Sequence, residues 1–360
     1  MNTCGREDVT HETASTRLAR FIRGMTILAS VVVPHICWST ETNTSPAGDK
    51  AAGLLRDYRS DIVLIKGKGG AGSGFVFARA GRKFLASNAH VMASIRAPTI
   101  TALDRTPIKF KPGAAMVAVG HDIILLEVQE GGNGMPIIES FENEVAVNDS
   151  IAVSGNTGGS DVVTLINGKV VGIGPNRIEI SAEIEHGNSG SPILHLPTGK
   201  VIGVATYATK DELLSGEKKV RRFGYRLDTV KQWQPVDWGR FYAEADKLEK
   251  IQSTTEELAQ VFFELNGLNQ RTNKGRKYAY ESPAIRGALD NFYESIDTLK
   301  NERDAGRVVN NLIGTLRGVS QSDVAPVKPT FTYDCFRRQF TEQEDDRTAI
   351  MKLIVKVMQK

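Results

Sequence analysis

Cysteine is scarce in this chain. Only Cys4, Cys37 and Cys335 occur in 360 residues. Two of them fall in a leader-like N-terminus, so a processed chain keeps only Cys335 and has no internal disulfide framework. Long apolar runs are also missing. The run from Met25 to Val33 has nine residues, too few to span a bilayer, and no other segment is a candidate for a stable membrane span. Charge of one sign is not in excess either. The net charge of +3 gives no case for nucleic acid as a partner. The local clusters Lys218, Lys219, Arg221, Arg222 and Arg271, Lys274, Arg276, Lys277 read as solvated loops. What remains is a soluble globular composition, with 41% hydrophobic and 24% charged residues, long enough for two or three domains.

The first 39 residues resemble a targeting segment. Arg17, Arg20 and Arg23 precede the Met25–Val33 run, and Cys37-Trp38-Ser39 offers small residues for cleavage after Ser39. The expectation is export to the periplasm or the medium of a bacterial cell. The alternative is an uncleaved N-terminal arm on a cytoplasmic protein. Residues 40–54 are polar and small, and read as a linker.

From about residue 55 to 235 the pattern is short apolar runs broken by glycine turns. Examples are Ile62–Ile65, Gly74–Phe77, Ile123–Val128, Ile151–Val153, Val162–Ile166, Val170–Ile173 and Val201–Ala205. So many short strands imply an all-β barrel or sandwich. Asn167-Gly168 between two runs signals a hairpin. After Pro235 the period changes. Leu248, Ile251, Leu258, Phe262 and Leu265 share a helical face, with Gly267 as a stop. Ser282-Pro283 reads as a helix start. Ile285, Leu289, Phe292, Ile296 and Leu299 form a stripe, continued by Val308, Leu312, Ile313 and Leu316 after a break near Gly306. Residues 236–360 are therefore expected to be a helical domain with its own core. Assembly with a second copy and docking of a partner are both open roles for it.

The chemistry concentrates in Gly187-Asn188-Ser189-Gly190-Ser191-Pro192. A serine between glycines has little steric cover, and a substrate carbonyl can approach the backbone closely. Upstream stand Ala89-His90 and His121-Asp122, which supply a base and a group to orient it. The order is His, Asp, Ser, and a strand rather than a helix follows Pro192. That separates the motif from the nucleophile elbow of α/β hydrolases.

Three stretches resemble the trypsin-like peptidases. Gly72-Ser73-Gly74-Phe75-Val76 with Ser87-Asn88-Ala89-His90-Val91 is similar to their histidine region. Asp122-Ile123-Ile124-Leu125-Leu126 is similar to their aspartate strand, and Gly187–Pro192 with Val201-Ile202-Gly203-Val204 to their serine loop. The likeness covers about residues 55–232. It is closest to the disulfide-free bacterial branch of Deg/HtrA proteases and glutamyl endopeptidases. It implies a chymotrypsin-like double six-stranded barrel followed by a mostly α-helical C-terminal domain.

The resemblance also implies roles. His90 is the general base, Asp122 orients it, and Ser189 attacks the substrate through an acyl-enzyme. The backbone N–H groups of Gly187 and Ser189 form the oxyanion hole. Thr206 supports Asp122. Glu183, Ala205 and Tyr207 fall along the specificity pocket. A buried Glu183 implies Lys or Arg in the substrate, whereas the alternation of Ile178, Ile180, Ala182 and Ile184 with Glu179, Ser181, Glu183 and Glu185 puts Glu183 in solvent. Ala205 stands where glutamyl endopeptidases carry a histidine, which argues against glutamate specificity. Asn188 stands where zymogen-activated relatives carry an aspartate, so the oxyanion loop needs another anchor. His121, His186 and His195 read as bystanders. The implied substrates are proteins or peptides, with no cofactor and no metal. A catalytically silent binding module and an esterase using the same triad are the alternatives.

Overall fold

The computed structural model describes residues 46–212, 218–267, 280–296, 302–322 and 330–359. The leader read at 1–39 lies outside them. Within the described residues the chain divides into two compact units. One holds the residues up to Ala245 together with Thr332–Phe336. The other holds Asp246–Phe331 and Arg337 onward. The expected boundary at 235/236 is thus displaced to within helix Trp238–Leu265, and a five-residue segment returns to the first unit.

The first unit is built from thirteen strands. They are β1 (Ile62–Lys68), β2 (Gly70–Arg79), β3 (Arg82–Ser87), β4 (Arg96–Ala102), β5 (Lys109–Ala118), β6 (Ile124–Glu130), β7 (Ser150–Asn156), β8 (Val163–Ile173), β9 (Arg177–Ile180), β10 (Pro192–His195), β11 (Lys200–Glu212), β12 (Lys218–Tyr225) and β13 (Trp233–Pro235). The first half makes a seven-stranded sheet in the order β13-β5-β6-β3-β2-β1-β4. The second half closes into a barrel, β10-β11-β12-β9-β8-β7. This is the chymotrypsin-like arrangement of double-barrel sheets followed by helices. Period-two alternation explains the individual strands. In β6, Ile124, Leu126 and Val128 are buried while Glu127 points the other way. One core, with Phe75, Phe77, Leu194, Val204 and Tyr225, joins the two sheets. A second, with Ile151, Val153, Ile178, Ile180 and Ile193, fills the closed barrel.

Two sequence expectations fail here. Residues 46–54 are not linker, because Pro46–Asp57 forms a helix. Ala51 on that helix is fully buried and Leu54 packs on the shared core. The alanine and leucine spacing supplies an apolar stripe that the polar composition hid. Asn167-Gly168 is not a hairpin turn either. Both residues lie inside β8, paired with Ala152 and Ile151. Glycine is needed there because a Cβ would come within 2.5 Å of the Ala182 nitrogen. The residue type marks a close backbone approach rather than a turn.

In the other unit, helices Pro283–Ile296, Glu302–Ser322 and the later turns of Asp334–Met358 pack with the end of Trp238–Leu265. Leu258, Ile285, Leu289, Leu312, Leu316, Ile350 and Ile354 form its core. Ser282 caps its helix, accepting the Ile285 N–H at 3.4 Å, and Gly267 at φ 70° follows the end of the first helix. The expected break near Gly306 is absent, since Glu302–Ser322 runs through it. Leu299 lies outside the described residues. No described helix is long and apolar enough to cross a membrane.

Thr332–Phe336 is fastened to the first unit. The Glu244 carboxylate accepts the Thr332 and Tyr333 N–H groups at 2.8 and 3.2 Å. The Tyr333 hydroxyl accepts the Asp237 N–H at 2.8 Å. Phe241 lies 5.3 Å from Tyr333 and 4.8 Å from Phe336, ring centre to ring centre.

Candidate active site

His90 sits in the first turn of a short helix, Ala89–Ser94, that follows β3. The residue before that helix, Asn88, makes no side-chain cap. Its amide instead donates to the Asp122 carbonyl at 2.8 Å, tying the histidine turn to the aspartate loop. The Asp122 carboxylate then meets His90 twice. Oδ2 lies 2.5 Å from His90 Nδ1 and Oδ1 accepts the His90 backbone N–H at 3.0 Å. Thr206 donates its hydroxyl to Oδ2 at 3.3 Å. His121, next in sequence, turns away: its Nε2 lies 2.8 Å from Thr229 Oγ1.

The charges follow from this geometry. Burial disfavours the imidazolium of His90, but the charge and hydrogen bond of Asp122 outweigh it, so the His90 pKa is raised above 6.5. Burial likewise disfavours the Asp122 carboxylate. The His90 charge, its two hydrogen bonds and Thr206 reverse that and hold Asp122 below the usual carboxylate range.

The serine loop is braced from several sides. Asn188 is fully buried. Its Oδ1 accepts the Glu185 N–H at 2.9 Å and its Nδ2 donates to Thr157 Oγ1 at 3.0 Å. These contacts answer how the loop is held without an aspartate. Ser73, also fully buried, donates its hydroxyl to the Gly187 carbonyl at 2.7 Å and accepts the Asn156 N–H at 2.9 Å. Its own N–H donates to the Ser189 carbonyl at 3.0 Å. Only glycine fits at 190, where φ is 90° and a Cβ would lie 2.0 Å from the Ser73 carbonyl oxygen. Gly158 donates to the His186 carbonyl at 2.7 Å, fixing the peptide that carries the Gly187 N–H. Among the described residues neither the Gly187 N–H nor the Ser189 N–H donates to any acceptor. Both of these N–H groups of the loop are thus unused.

The Ser189 hydroxyl donates to the Thr206 carbonyl at 3.1 Å and not to His90. Thr206 therefore touches both ends of the site. Glu183 is exposed between buried Ala182 and Ile184, so the alternating reading describes it and the buried-carboxylate reading does not. Ala205 is buried in the barrel core. The Tyr207 side chain lies outside the described residues. His186 is exposed. His195 is buried between Asp149 and Thr198, 2.9 Å from each, bracing a turn. Sequence reasoning gave no role to Ser73, Asn88 or Thr157. Ser73 and Asn88 share one visible trait: both stand within the stretches that resemble the histidine region.

Residues 72–204 match the family model described as the trypsin-like peptidase domain. No curated protein is matched. Among solved structures, Deg5 is 23% identical, covering 52% of this chain and 92% of its own, with a TM-score of 0.38. An inactive serine-to-alanine mutant of Rv3671c from M. tuberculosis H37Rv is 18% identical, covering 55% and 93%, with a TM-score of 0.38. A serine endoprotease from Yersinia pestis is 18% identical, covering 49% and 62%, with a TM-score of 0.37. The stretch that bears His90, Asp122 and Ser189 thus matches the trypsin-like peptidase domain model, and a helical C-terminal region follows it.

Proposed function

We propose that this protein is a serine endopeptidase that hydrolyses peptide bonds of protein substrates through His90, Asp122 and Ser189. The observation that carries the reading is the pairing of His90 with Asp122 across from a serine whose loop presents two unused N–H donors. In the reaction, Ser189 Oγ attacks the scissile carbonyl and His90 Nε2 takes its proton. The carbonyl oxygen gains negative charge between the Gly187 and Ser189 N–H groups. His90 then gives the proton to the leaving amine, the C–N bond breaks, and an acyl-Ser189 ester remains. Water, activated by His90, hydrolyses that ester and restores the hydroxyl. Asp122 holds the Nδ1–H tautomer and stabilises the imidazolium.

Before attack the Ser189 hydroxyl must turn its proton from the Thr206 carbonyl to His90. Its present orientation favours a second reading, a resting or silent protease fold that serves as a binding module. A fluorophosphonate probe separates the two. Labelling of the wild type and not of Ser189→Ala, with casein cleavage following the same pattern, is the expected result. Folded protein that neither labels nor cleaves overturns the peptidase reading and favours the binding module.

A further inference from the structure

Read as sequence, Lys218, Lys219, Arg221 and Arg222 form one solvated cationic cluster. The structure separates the two arginines. Both lie on β12, where neighbouring side chains leave opposite faces. Arg221 is satisfied on the outer face. Its Nε and Nη2 donate to Glu179 at 3.0 and 2.6 Å, and its guanidinium lies 5.0 Å from the Phe223 ring centre.

Arg222 belongs to the inner face. It stands opposite Ile180, and Gly224 stands opposite Ile178. Opposed residues on antiparallel strands project to the same side, and both isoleucines are buried in the barrel core. Arg222 Nε is buried with no hydrogen-bond partner, and no described carboxylate pairs with the side chain. Its terminal nitrogens are not buried, so the end of the guanidinium reaches open space. A buried N–H without an acceptor is costly, and an inward arginine is a conspicuous place for one.

The position ties this group to the serine loop. Ala205, opposite Gly224, donates to the Ser191 carbonyl and accepts the Gly190 N–H, each at 2.9 Å. Arg222 is two residues from Gly224 along β12, a step of about 7 Å, which an arginine side chain spans. It stands opposite Ala208, two residues beyond the Thr206 whose carbonyl holds Ser189 Oγ. Glu183, the residue expected from sequence at the base of the pocket, is exposed and makes no ion pair with Arg222.

We infer that Arg222, and not a histidine at the position Ala205 occupies, selects an acidic side chain, Asp or Glu, in the substrate residue just before the scissile bond, which reverses the expectation drawn from Ala205. The inference rests on the peptidase reading above. A guanidinium offers parallel N–H donors that match a carboxylate, and the contact strengthens as the entering substrate displaces water. A neutral residue brings no charge to the exposed terminal nitrogens and a cationic one is repelled by them, so both are disfavoured. Glu179 does not compete, because Arg221 neutralises it on the opposite face.

The test uses the full chain with Ser189→Ala, so binding is read without turnover. The probes are acetyl-Ala-Ala-Pro-Glu amide and its Gln and Lys counterparts, titrated by calorimetry. The Glu peptide should bind at least tenfold tighter than Gln and tighter still than Lys. Adding Arg222→Gln should level the series, and Arg222→Lys should keep part of the preference. Equal binding of Glu and Gln, no binding of the Glu peptide at millimolar concentration, or a preference that survives Arg222→Gln in a folded protein overturns the inference. Fluorophosphonate labelling of Ser189 in the wild-type chain is read separately, so a failure of the peptidase reading is distinguishable from a failure at Arg222.

Discussion

The Asp334 carboxylate accepts the backbone N–H of Gly120 at 2.8 Å, although 214 residues separate them in the chain. Gly120 lies two residues before Asp122, so a segment from the far end of the sequence steadies the loop that presents the carboxylate to His90. Asp334→Ala should remove about 1–3 kcal/mol of stability. It should also lower kcat/KM on any cleaved substrate. Asp334→Asn keeps an acceptor oxygen and should restore most of both. Thermal unfolding and steady-state kinetics on the three proteins check this. Full activity and unchanged stability in Asp334→Ala would show that Gly120 needs no anchor.

Asn188 should govern the oxyanion loop. Asn188→Ala deletes the contacts to Glu185 and Thr157 and leaves the loop without its buried brace. Loss of one oxyanion donor costs about 10²–10³ in rate in a comparable enzyme, and a fall of that order in kcat is expected. The substrate KM should change far less.

Ser73 should act on the same loop from the other side. Ser73→Ala strands the Asn156 N–H and the Gly187 carbonyl in a buried place, at about 1–3 kcal/mol for each group left without a partner. Denaturant unfolding should show a lower midpoint with an unchanged slope. Fluorophosphonate labelling should slow in parallel.

The His90–Asp122 pair sets the pH response. Because the His90 pKa is raised, kcat/KM should rise with pH through a midpoint above 6.5. The stability contribution has the opposite sense. It is fully present below 6.5 and is lost as pH climbs through the raised value. The lowered pKa of Asp122 contributes stability above 3.8 that disappears as pH falls through the folded value. In Asp122→Asn only burial remains, and the His90 midpoint, followed by imidazole NMR shifts, should move down.

Cys335 should be inert in the native state. It is 4% exposed, and burial together with the nearby Asp122, Asp334 and Glu244 charges pushes its thiol pKa up. Iodoacetamide at neutral pH, mapped by mass spectrometry, should leave it unmodified until denaturant is added. Rapid native labelling would mean that the Thr332–Phe336 segment opens readily.

Much of the fold was legible because its signals are local. Short apolar runs and the order of the three motifs pointed to the paired sheets, and the stripe from Ile285 to Phe292 pointed to a helix. What escaped depends on distant partners. Gly168 resembles a turn until the Ala182 backbone is seen beside it. Ala51 and Leu54 look like linker residues until a core is placed under them. Arg222 looks like Arg221 until cross-strand register assigns them to opposite faces. Asn88 and Ser73 carry no sequence mark of their partners, because hydrogen bonds spanning 34 and 114 residues leave no periodicity.

The return of Thr332–Phe336 to the first unit bears on how the protein is made. About 90 residues separate Ala245 from Phe336, and nearly all of them belong to the other unit. A ribosome adds them in roughly 5–20 seconds. Through that interval the nascent barrel exists without Asp334 on Gly120 and without the Tyr333 and Phe336 rings against Phe241. The loop bearing Asp122 therefore gains the Asp334 contact only after the intervening helices have been synthesised, and a translation product stopped short of Thr332 lacks it.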